Sequence, residues 1–203
     1  MALWNTKQED LTAKTGTREK ITVNGIYEME IKEAYLTDSK QSKAKAVTIA
    51  FENDVNYGRV NFWFLKGDGT ENEFATKSLN RLLYLCKLKS ENLKEVKKTV
   101  KGFGGKEIER TFLQDLHGKQ IGMIIETKKE GDNINLEIKD FFDIKSRKTS
   151  DEIINKMEAS TVIFFEDKYA KEEKNKPVND DLAYETNKNI TTATSLDDDE
   201  FPF

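Results

Sequence analysis

The chain has 203 residues, of which 36% are hydrophobic and 34% are charged, and its formal net charge at pH 7 is -4. It has no run of about 18 apolar residues and no basic start followed by an apolar block, so we expect neither a membrane span nor a secretory signal. The single cysteine, Cys86, excludes an internal disulfide and fits a reducing cytoplasm. Cys86 and the single histidine, His117, cannot form a four-ligand zinc site.

Alternating apolar residues predict three strands near the start of the chain. Residues 1–20 are polar and lack a hydrophobic period, so we expect them to form a flexible arm. The strands are predicted over 24–36, 46–52 and 59–66, each with one apolar face. The alternation shifts at 34–36, which indicates a β-bulge in the first strand.

The hydrophobic period then changes to that of a helix. Leu79, Leu82 and Leu83 have helical spacing and predict a helix over 76–89. A long basic connection follows it. Within this connection the stretch "KKTVKGFGGK" (97–106) contains three glycines among its lysines, and it is predicted to be a mobile basic loop.

The second half of the chain predicts more strands and then a change of composition. Strands are expected over 120–127 and 133–145, joined by a hairpin-type turn at Gly131. A short helix is predicted after a cap at Thr149 or Ser150, and residues 161–166 are predicted to form a further strand. Beyond residue 170 aromatic and aliphatic residues become scarce, which is typical of disorder.

The order of three strands, a helix and two strands predicts the fold class. It is mainly β with an inserted helix, and it matches an OB-fold-like, five-stranded, partly open barrel. Other small barrels with an inserted helix share this order. The predicted organisation is a flexible arm over 1–20, an OB-like domain over 21–170 and a disordered acidic tail over 171–203.

The charges are distributed unevenly along the chain. Residues 171–203 contain four lysines and nine acids, whereas residues 77–110 contain ten cations and four acids. Such an asymmetry suggests contact with nucleic acid through the basic zone, together with an acidic tail for interaction with other molecules.

Aromatic and basic side chains alternate on the predicted second and third strands. Binding of single strands uses flat aromatic surfaces for bases and cations for phosphates. Alternation places Arg59 and Trp63 on the face opposite to Phe62, so Trp63 is the main candidate for stacking and Phe62 is assigned to the core. The predicted residues for binding single-stranded DNA are Lys40, Lys43, Lys45, Tyr57, Arg59, Trp63, Lys66, Lys77, Arg81, Lys97, Lys98, Lys101, Phe103 and Lys106. The alternative is core packing for the aromatics and an ordinary solvated loop for 97–106.

The stretch "DDDEFPF" places four acids before two phenylalanines that flank a proline. Proline restricts the residue before it, so this tip is partly pre-set as an extended hook. We expect the last phenylalanine and its carboxylate to enter a pocket of a partner protein, while the acids contact basic residues at the rim. The predicted partner-binding residues are Asp197, Asp198, Asp199, Glu200, Phe201, Pro202 and Phe203.

This tip resembles that of bacterial and phage single-stranded-DNA-binding proteins, which combine an OB-fold with a disordered acidic tail. The region from "GIYEMEIKEAYL" to "LNRLLYLCKL" also resembles phage proteins of this kind, and the N-terminal signature of the bacterial family is not seen. The phage branch is therefore the closer match. The resemblance implies a replication, recombination or repair protein that coats single strands and recruits a polymerase, primase-helicase or recombinase through its tip.

The predicted function is therefore sequence-independent binding of single-stranded DNA, in the host cytoplasm if a phage encodes the chain. No enzymatic activity, cofactor or metal is expected. The sequence is compatible with formation of a homo-oligomer. The alternative function is that of an adaptor or inhibitor that binds host proteins through the barrel. In that case the basic zone would be only a solvated surface.

Overall fold

The computed structural model of the chain describes residues 17–101, 105 and 107–174. Most of the predicted N-terminal arm and the predicted tail from residue 175 lie outside the described residues, as do Phe103 and Lys106. No helix among the described residues is both long enough and apolar enough to cross a membrane.

The described residues are mainly β, with three α-helices, which confirms the mainly β part of the predicted fold class. Helix α1 lies between the fourth and fifth strands, and helices α2 and α3 follow the last strand. The strands are β1 (Glu19–Lys20), β2 (Gly25–Asp38), β3 (Lys45–Glu52), β4 (Asn56–Leu65), β5 (Glu95–Lys101), β6 (Glu107–Leu113), β7 (Gln120–Glu130) and β8 (Asn133–Phe142). The helices are α1 (Glu73–Leu85), α2 (Ser150–Ile154) and α3 (Thr161–Lys174).

Strand β2 is the centre of the sheet because it pairs with three neighbours. One edge of β2 pairs antiparallel with β3, which in turn pairs with β4. On the other edge, the first half of β2 pairs with β7 and the second half meets β6 where Tyr35 lies opposite Phe112. The register of β2 against β3 shifts between Ile31 and Glu33, so β2 has the predicted bulge, although it lies before the predicted position at 34–36.

The main core lies on the inner face of this sheet, under α1. Helix α1 buries Leu82 and Leu83 against the inward-facing residues of the strands. Phe62 of β4 and Phe141 of β8 contact each other across the core, with ring centres 6.0 Å apart. A Cβ at Gly58 would lie 2.7 Å from Cδ1 of Leu136, so this glycine allows β4 and β8 to approach each other closely.

A second, smaller core lies on the opposite face of β7 and β8, under α3. Val162 of α3 is fully buried against Ile124 and Phe142. Lys168 of α3 pairs with Glu126 of β7, which reinforces the same contact. Helix α3 therefore covers the outside of this part of the sheet.

The corner between α2 and α3 is organised by one buried carboxylate. Thr149 caps α2, as predicted, in a capping box with Glu152. The other oxygen of Glu152 accepts hydrogen bonds from the backbone N–H groups of Ser160 and Thr161, at 2.8 and 2.7 Å. One side chain thus ties the start of α2 to the start of α3.

Two predictions for this part of the chain were wrong in detail. Residues 161–166 form the start of α3 and not a strand, because Val162, Phe165 and Tyr169 reach the second core at helical spacing. Helix α3 also continues to Lys174, four residues past the predicted end of the domain at residue 170.

The basic connection after α1 also differs from the prediction. It contains a hairpin of β5 and β6. With this hairpin and the short strand β1, the described sheet has eight strands, whereas the predicted barrel has five. The hairpin joins the sheet at the second half of β2, beyond the bulge. It therefore extends the sheet beside β2, β3 and β4.

Candidate nucleic-acid interface

The sheet formed by β4, β3, β2, β6 and β5 has one face that points away from the core. On β4, Val60 and Phe62 are buried in the core, so Arg59 and Trp63, which alternate with them, point outward. Directly opposed residues of antiparallel strands share a face, and the observed register extends this face to the other strands. We call this the outer face, formed by Tyr57, Arg59, Asn61 and Trp63 of β4, Ala46, Thr48, Ala50 and Glu52 of β3, Glu33, Tyr35 and Thr37 of β2, Ile108, Arg110 and Phe112 of β6, and Val96, Lys98 and Val100 of β5.

The β4 edge of the outer face carries the predicted stacking residue. Trp63 is 38% exposed, whereas its neighbour Phe62 is 9% exposed, so the predicted placement of Phe62 in the core and of Trp63 on the opposite face is confirmed. Arg59 is exposed and Tyr57 is half-buried on the same face. This arrangement places an open indole ring and a guanidinium along one strand.

Small residues form the middle of the outer face. Ala46 is 0% exposed and Thr48 is 2% exposed, although both point away from the main core. The Thr48 hydroxyl donates a hydrogen bond of 2.8 Å to Oδ1 of Asn61, and its oxygen lies 2.6 Å from the hydroxyl of Thr37. Thr37, Thr48 and Asn61 thus form a hydrogen-bonded row that crosses β2, β3 and β4.

A cluster of aromatic and basic residues lies where β2 meets β6. The rings of Tyr35 and Phe112 have centres 5.7 Å apart. The guanidinium of Arg110 lies 4.4 Å from the centre of the Tyr35 ring, and Nζ of Lys98 lies 5.5 Å from the centre of the Phe112 ring. Both rings are largely buried, so they support the two cations on the outer face.

Sequence reasoning missed Tyr35, Arg110 and Phe112. The bulge reverses the alternation of β2. Before the bulge Met29 and Ile31 point into the core, and after it Ala34 does. Tyr35 therefore moves to the outer face. The shift in alternation at 34–36 was visible in the sequence, whereas the pairing of β6 with β2 had no local signal.

The predicted lysines of the turns gather at one end of the outer face. The turn after β2 contacts the turn after β4, since the N–H of Lys43 donates to the carbonyl of Gly67 at 3.2 Å. Lys40, Lys45 and Lys66 are exposed in or beside these turns. The structure thus brings these four lysines close to the end of β4 that carries Trp63.

The two predicted cations of the helix lie elsewhere. Helix α1 packs against the inner face of the sheet, so Lys77 and Arg81 are separated from the outer face by the core. Nζ of Lys77 lies 3.2 Å from a carboxylate oxygen of Glu73, and the guanidinium of Arg81 lies 3.4 Å from one of Asp140. The structure therefore does not bring these two predicted DNA-binding residues together with Trp63.

The lysines of the predicted basic loop are divided between two faces. Lys97, Lys98 and Lys101 belong to strand β5, so the prediction of a mobile loop was wrong for them. Alternation places Lys98 on the outer face and Lys97 and Lys101 on the opposite face. Lys97 is also paired there with Glu109 at 3.1 Å.

The described residues offer little for other kinds of chemistry. They include no group of three or more His, Cys, Asp or Glu side chains arranged to hold a metal ion. Burial raises the pKa of the Cys86 thiol to about 11, although Lys119 opposes this shift, so the thiol is a weak nucleophile near neutral pH. A cavity of about 130 Å³ borders the outer face between Lys32, Lys98 and Phe112.

Comparison with models of protein families and with curated protein sequences found no match to this chain.

Proposed function

We propose that the protein binds single-stranded DNA, without strong sequence preference, along the outer face. The observation that carries the proposal is the exposed indole of Trp63 beside Arg59, on the same sheet face as Arg110 and Lys98. Every base has an aromatic face, so stacking on an indole tolerates any sequence. The cations contact phosphates and displace counterions, and affinity falls steeply with salt.

The strand order supports an OB-like classification within the proposal. Strands β2, β3, β4, β7 and β8, with α1 between β4 and β7, follow the order of the OB-fold strands, and the β5–β6 hairpin is an insertion after the helix. OB-folds bind oligonucleotides on the face that includes their second and third strands. Strands β3 and β4 occupy these positions here, and both contribute to the outer face.

The preference for single strands follows from the kind of contact. Bases in a duplex are stacked on each other and paired, so they do not present a free face to Trp63. A flexible single strand presents its bases and its phosphates to one surface. Duplex DNA contacts the outer face only through its phosphate backbone. The protein therefore binds duplex DNA more weakly than single strands at moderate salt.

The proposal gives a second role, recruitment of a partner protein, to the acidic segment 197–203 with its two phenylalanines. The segment recruits a replication, recombination or repair protein by inserting an aromatic side chain into a pocket with a basic rim. The proposed setting is the replication of a phage in its host cytoplasm. This segment lies outside the described residues, so the proposal for it depends on the sequence pattern alone.

Titration with oligothymidine, in parallel with a duplex of the same length, tests the proposal. The triple variant R59A/W63A/R110A removes contacts from the outer face, and we expect it to lose most of its affinity. The matched control is K77A/R81A/Y84A, which removes two cations and an exposed aromatic from α1 on the other side of the core. Equal affinity for duplex and single strand, or equal losses in both triple variants, would contradict the proposal.

If the protein binds no oligonucleotide but captures a protein through the outer face, the adaptor function replaces the proposed one. The same two triple variants separate these outcomes, because only the outer-face variant should lose the captured protein.

A further inference from the structure

In the hydrogen-bonded row on the outer face, the exposed amide of Asn61 turns its oxygen toward Thr48. The hydroxyl of Thr48 has a single hydrogen, which it donates to Oδ1 of Asn61 at 2.8 Å. Its contact of 2.6 Å with the hydroxyl of Thr37 must therefore be a hydrogen bond that Thr37 donates. The direction of both hydrogen bonds follows, from Thr37 through Thr48 to Asn61.

This orientation leaves the nitrogen of the Asn61 amide as the group available to a ligand. Asn61 is exposed, and among the described residues nothing accepts a hydrogen bond from its Nδ2. The amide therefore presents two N–H donors and keeps its acceptor turned toward the sheet. Arg59, the next residue on the same face, also has only donors.

Asn61 lies within reach of a base stacked on Trp63. Residues two apart on a strand point to the same side and are separated by about 6 to 7 Å. That distance is comparable to the width of a pyrimidine ring and its substituents. A base on the indole of Trp63 would extend one edge toward the N–H donors of Asn61.

From this geometry we infer that Asn61 is a specificity-determining residue, which favours bases with a keto group over bases with an amino group at the same ring position. The inference rests on the proposed function. Thymine and uracil have an acceptor, O4, where cytosine has an amino donor, and guanine has O6 where adenine has an amino donor. A keto oxygen accepts a hydrogen bond from the Asn61 amide. An amino group at the same position places a second donor against the amide, so no hydrogen bond forms.

The expected discrimination is modest because it depends on about one hydrogen bond. Such a bond changes affinity by roughly two- to ten-fold. Binding of any sequence remains possible through stacking and phosphate contacts, so this preference is superimposed on general binding of single strands.

The test compares oligothymidine, oligodeoxyuridine and oligodeoxycytidine of equal length, by titration at one salt concentration. The uridine strand separates the keto group from the methyl group of thymine. We expect the wild-type protein to bind thymidine and uridine strands about two- to ten-fold more tightly than the cytidine strand. Because the three strands carry the same backbone, their affinity ratio is independent of phosphate contacts.

Asn61→Asp replaces the two outward donors by a carboxylate oxygen, while Thr48 can still donate to the other oxygen. The added negative charge weakens binding of all strands, but the ratio of thymidine to cytidine affinity should fall below that of the wild type and reverse. Asn80→Asp, at an exposed position of α1, is the matched control for the charge change and should leave the ratio unaltered.

Thr48→Val keeps the shape of the side chain and removes the donor that orients Asn61. The amide is then able to turn its oxygen outward, and the ratio should approach one. A ratio that stays at its wild-type value in Asn61→Asp overturns the inference, even if the protein binds every strand well. Failure of the wild-type protein to bind all three strands overturns the proposed function, and the inference with it.

Discussion

The guanidinium of Arg110 lies 4.4 Å from the centre of the Tyr35 ring, although the two residues are far apart in the sequence. Tyr35 belongs to the central strand β2, and Arg110 belongs to the inserted hairpin. The contact holds Arg110 half-buried on the outer face, with its planar group over an aromatic ring. An immobilised guanidinium loses less side-chain entropy when it binds a phosphate.

Arg110→Ala should therefore weaken binding of single-stranded DNA and flatten its salt dependence. One lost phosphate contact lowers the slope of log affinity against log salt by about 0.7 for single strands. Arg110→Lys keeps the charge but not the planar stack, and it should give an affinity between those of the wild type and Arg110→Ala. Titrations at several salt concentrations measure both quantities, and an unchanged slope in Arg110→Ala would show that this cation does not contact phosphate.

Trp63→Ala should reduce the affinity for single strands by about 1–3 kcal/mol, the value of one stacked base. The chain has two tryptophans, so a Trp4→Phe background leaves Trp63 as the only indole reporter. Its fluorescence should be quenched when oligothymidine is added. Tyr84→Ala removes an exposed aromatic from α1 and should leave affinity unchanged. Normal binding by Trp63→Ala, with no quenching in the reporter, would exclude stacking at this position.

Lys97 and Lys98 are adjacent in β5 but point to opposite faces, which makes them a matched pair. Lys98→Ala should lower the salt slope by about 0.7, since its ammonium group lies on the outer face. Lys97→Ala should leave the slope unaltered, because Lys97 is on the other face and is paired with Glu109. If both variants reduce the slope equally, the DNA contacts both faces of the hairpin.

The elements that could be predicted from the sequence are those with a strong local pattern. Strands β2, β3 and β4 alternate between apolar and polar residues, and α1 has leucines at helical spacing. Alternation alone was also sufficient to assign Trp63 to the exposed face. These patterns arise because each element buries one side against the same core.

The elements that were missed depend on contacts between distant residues. Strand β5, "EVKKTVK", has only two apolar residues, and it is held by pairing with β6, which joins β2 at Tyr35 and Phe112. The run "TVIFF" favours a strand by propensity, but it becomes a helix because Val162 and Phe165 pack on the second core. Pairing and packing of this kind cannot be derived from a local window of sequence.

Removal of residues 196–203 should leave the affinity for oligothymidine intact at moderate salt and raise it at low salt. The four acids of this segment then no longer compete with phosphates for the cations of the outer face. Phe203→Ala keeps the acids, so it should abolish recruitment of the partner without altering DNA affinity. Pull-down of replication proteins and titration with DNA measure the two effects separately. Full partner binding by Phe203→Ala would contradict the anchoring role of this aromatic.

Glu152 should make the stability of the protein depend on pH in the acid range. Burial by itself would raise the pKa of this carboxyl group, but hydrogen bonds from the backbone of Thr149, Thr161 and Ser160 outweigh burial and lower it to about 2, from an ordinary value of 4.5. Because the folded pKa is lower than the unfolded one, the contribution to stability is fully present above 4.5. It is lost as the pH falls through the folded value near 2.

Glu152→Gln should therefore destabilise the protein at neutral pH by on the order of 2 to 3 kcal/mol and remove this part of the acid dependence. The amide of glutamine donates where the carboxylate accepts, so it cannot satisfy the N–H groups at the starts of both α2 and α3. Urea unfolding at neutral pH and at pH values below 4.5 measures the difference. Glu158→Gln, an exposed residue in the same corner, is the control and should unfold like the wild type. Equal stability of the two variants at neutral pH would show that the carboxylate of Glu152 does not hold α2 and α3 together.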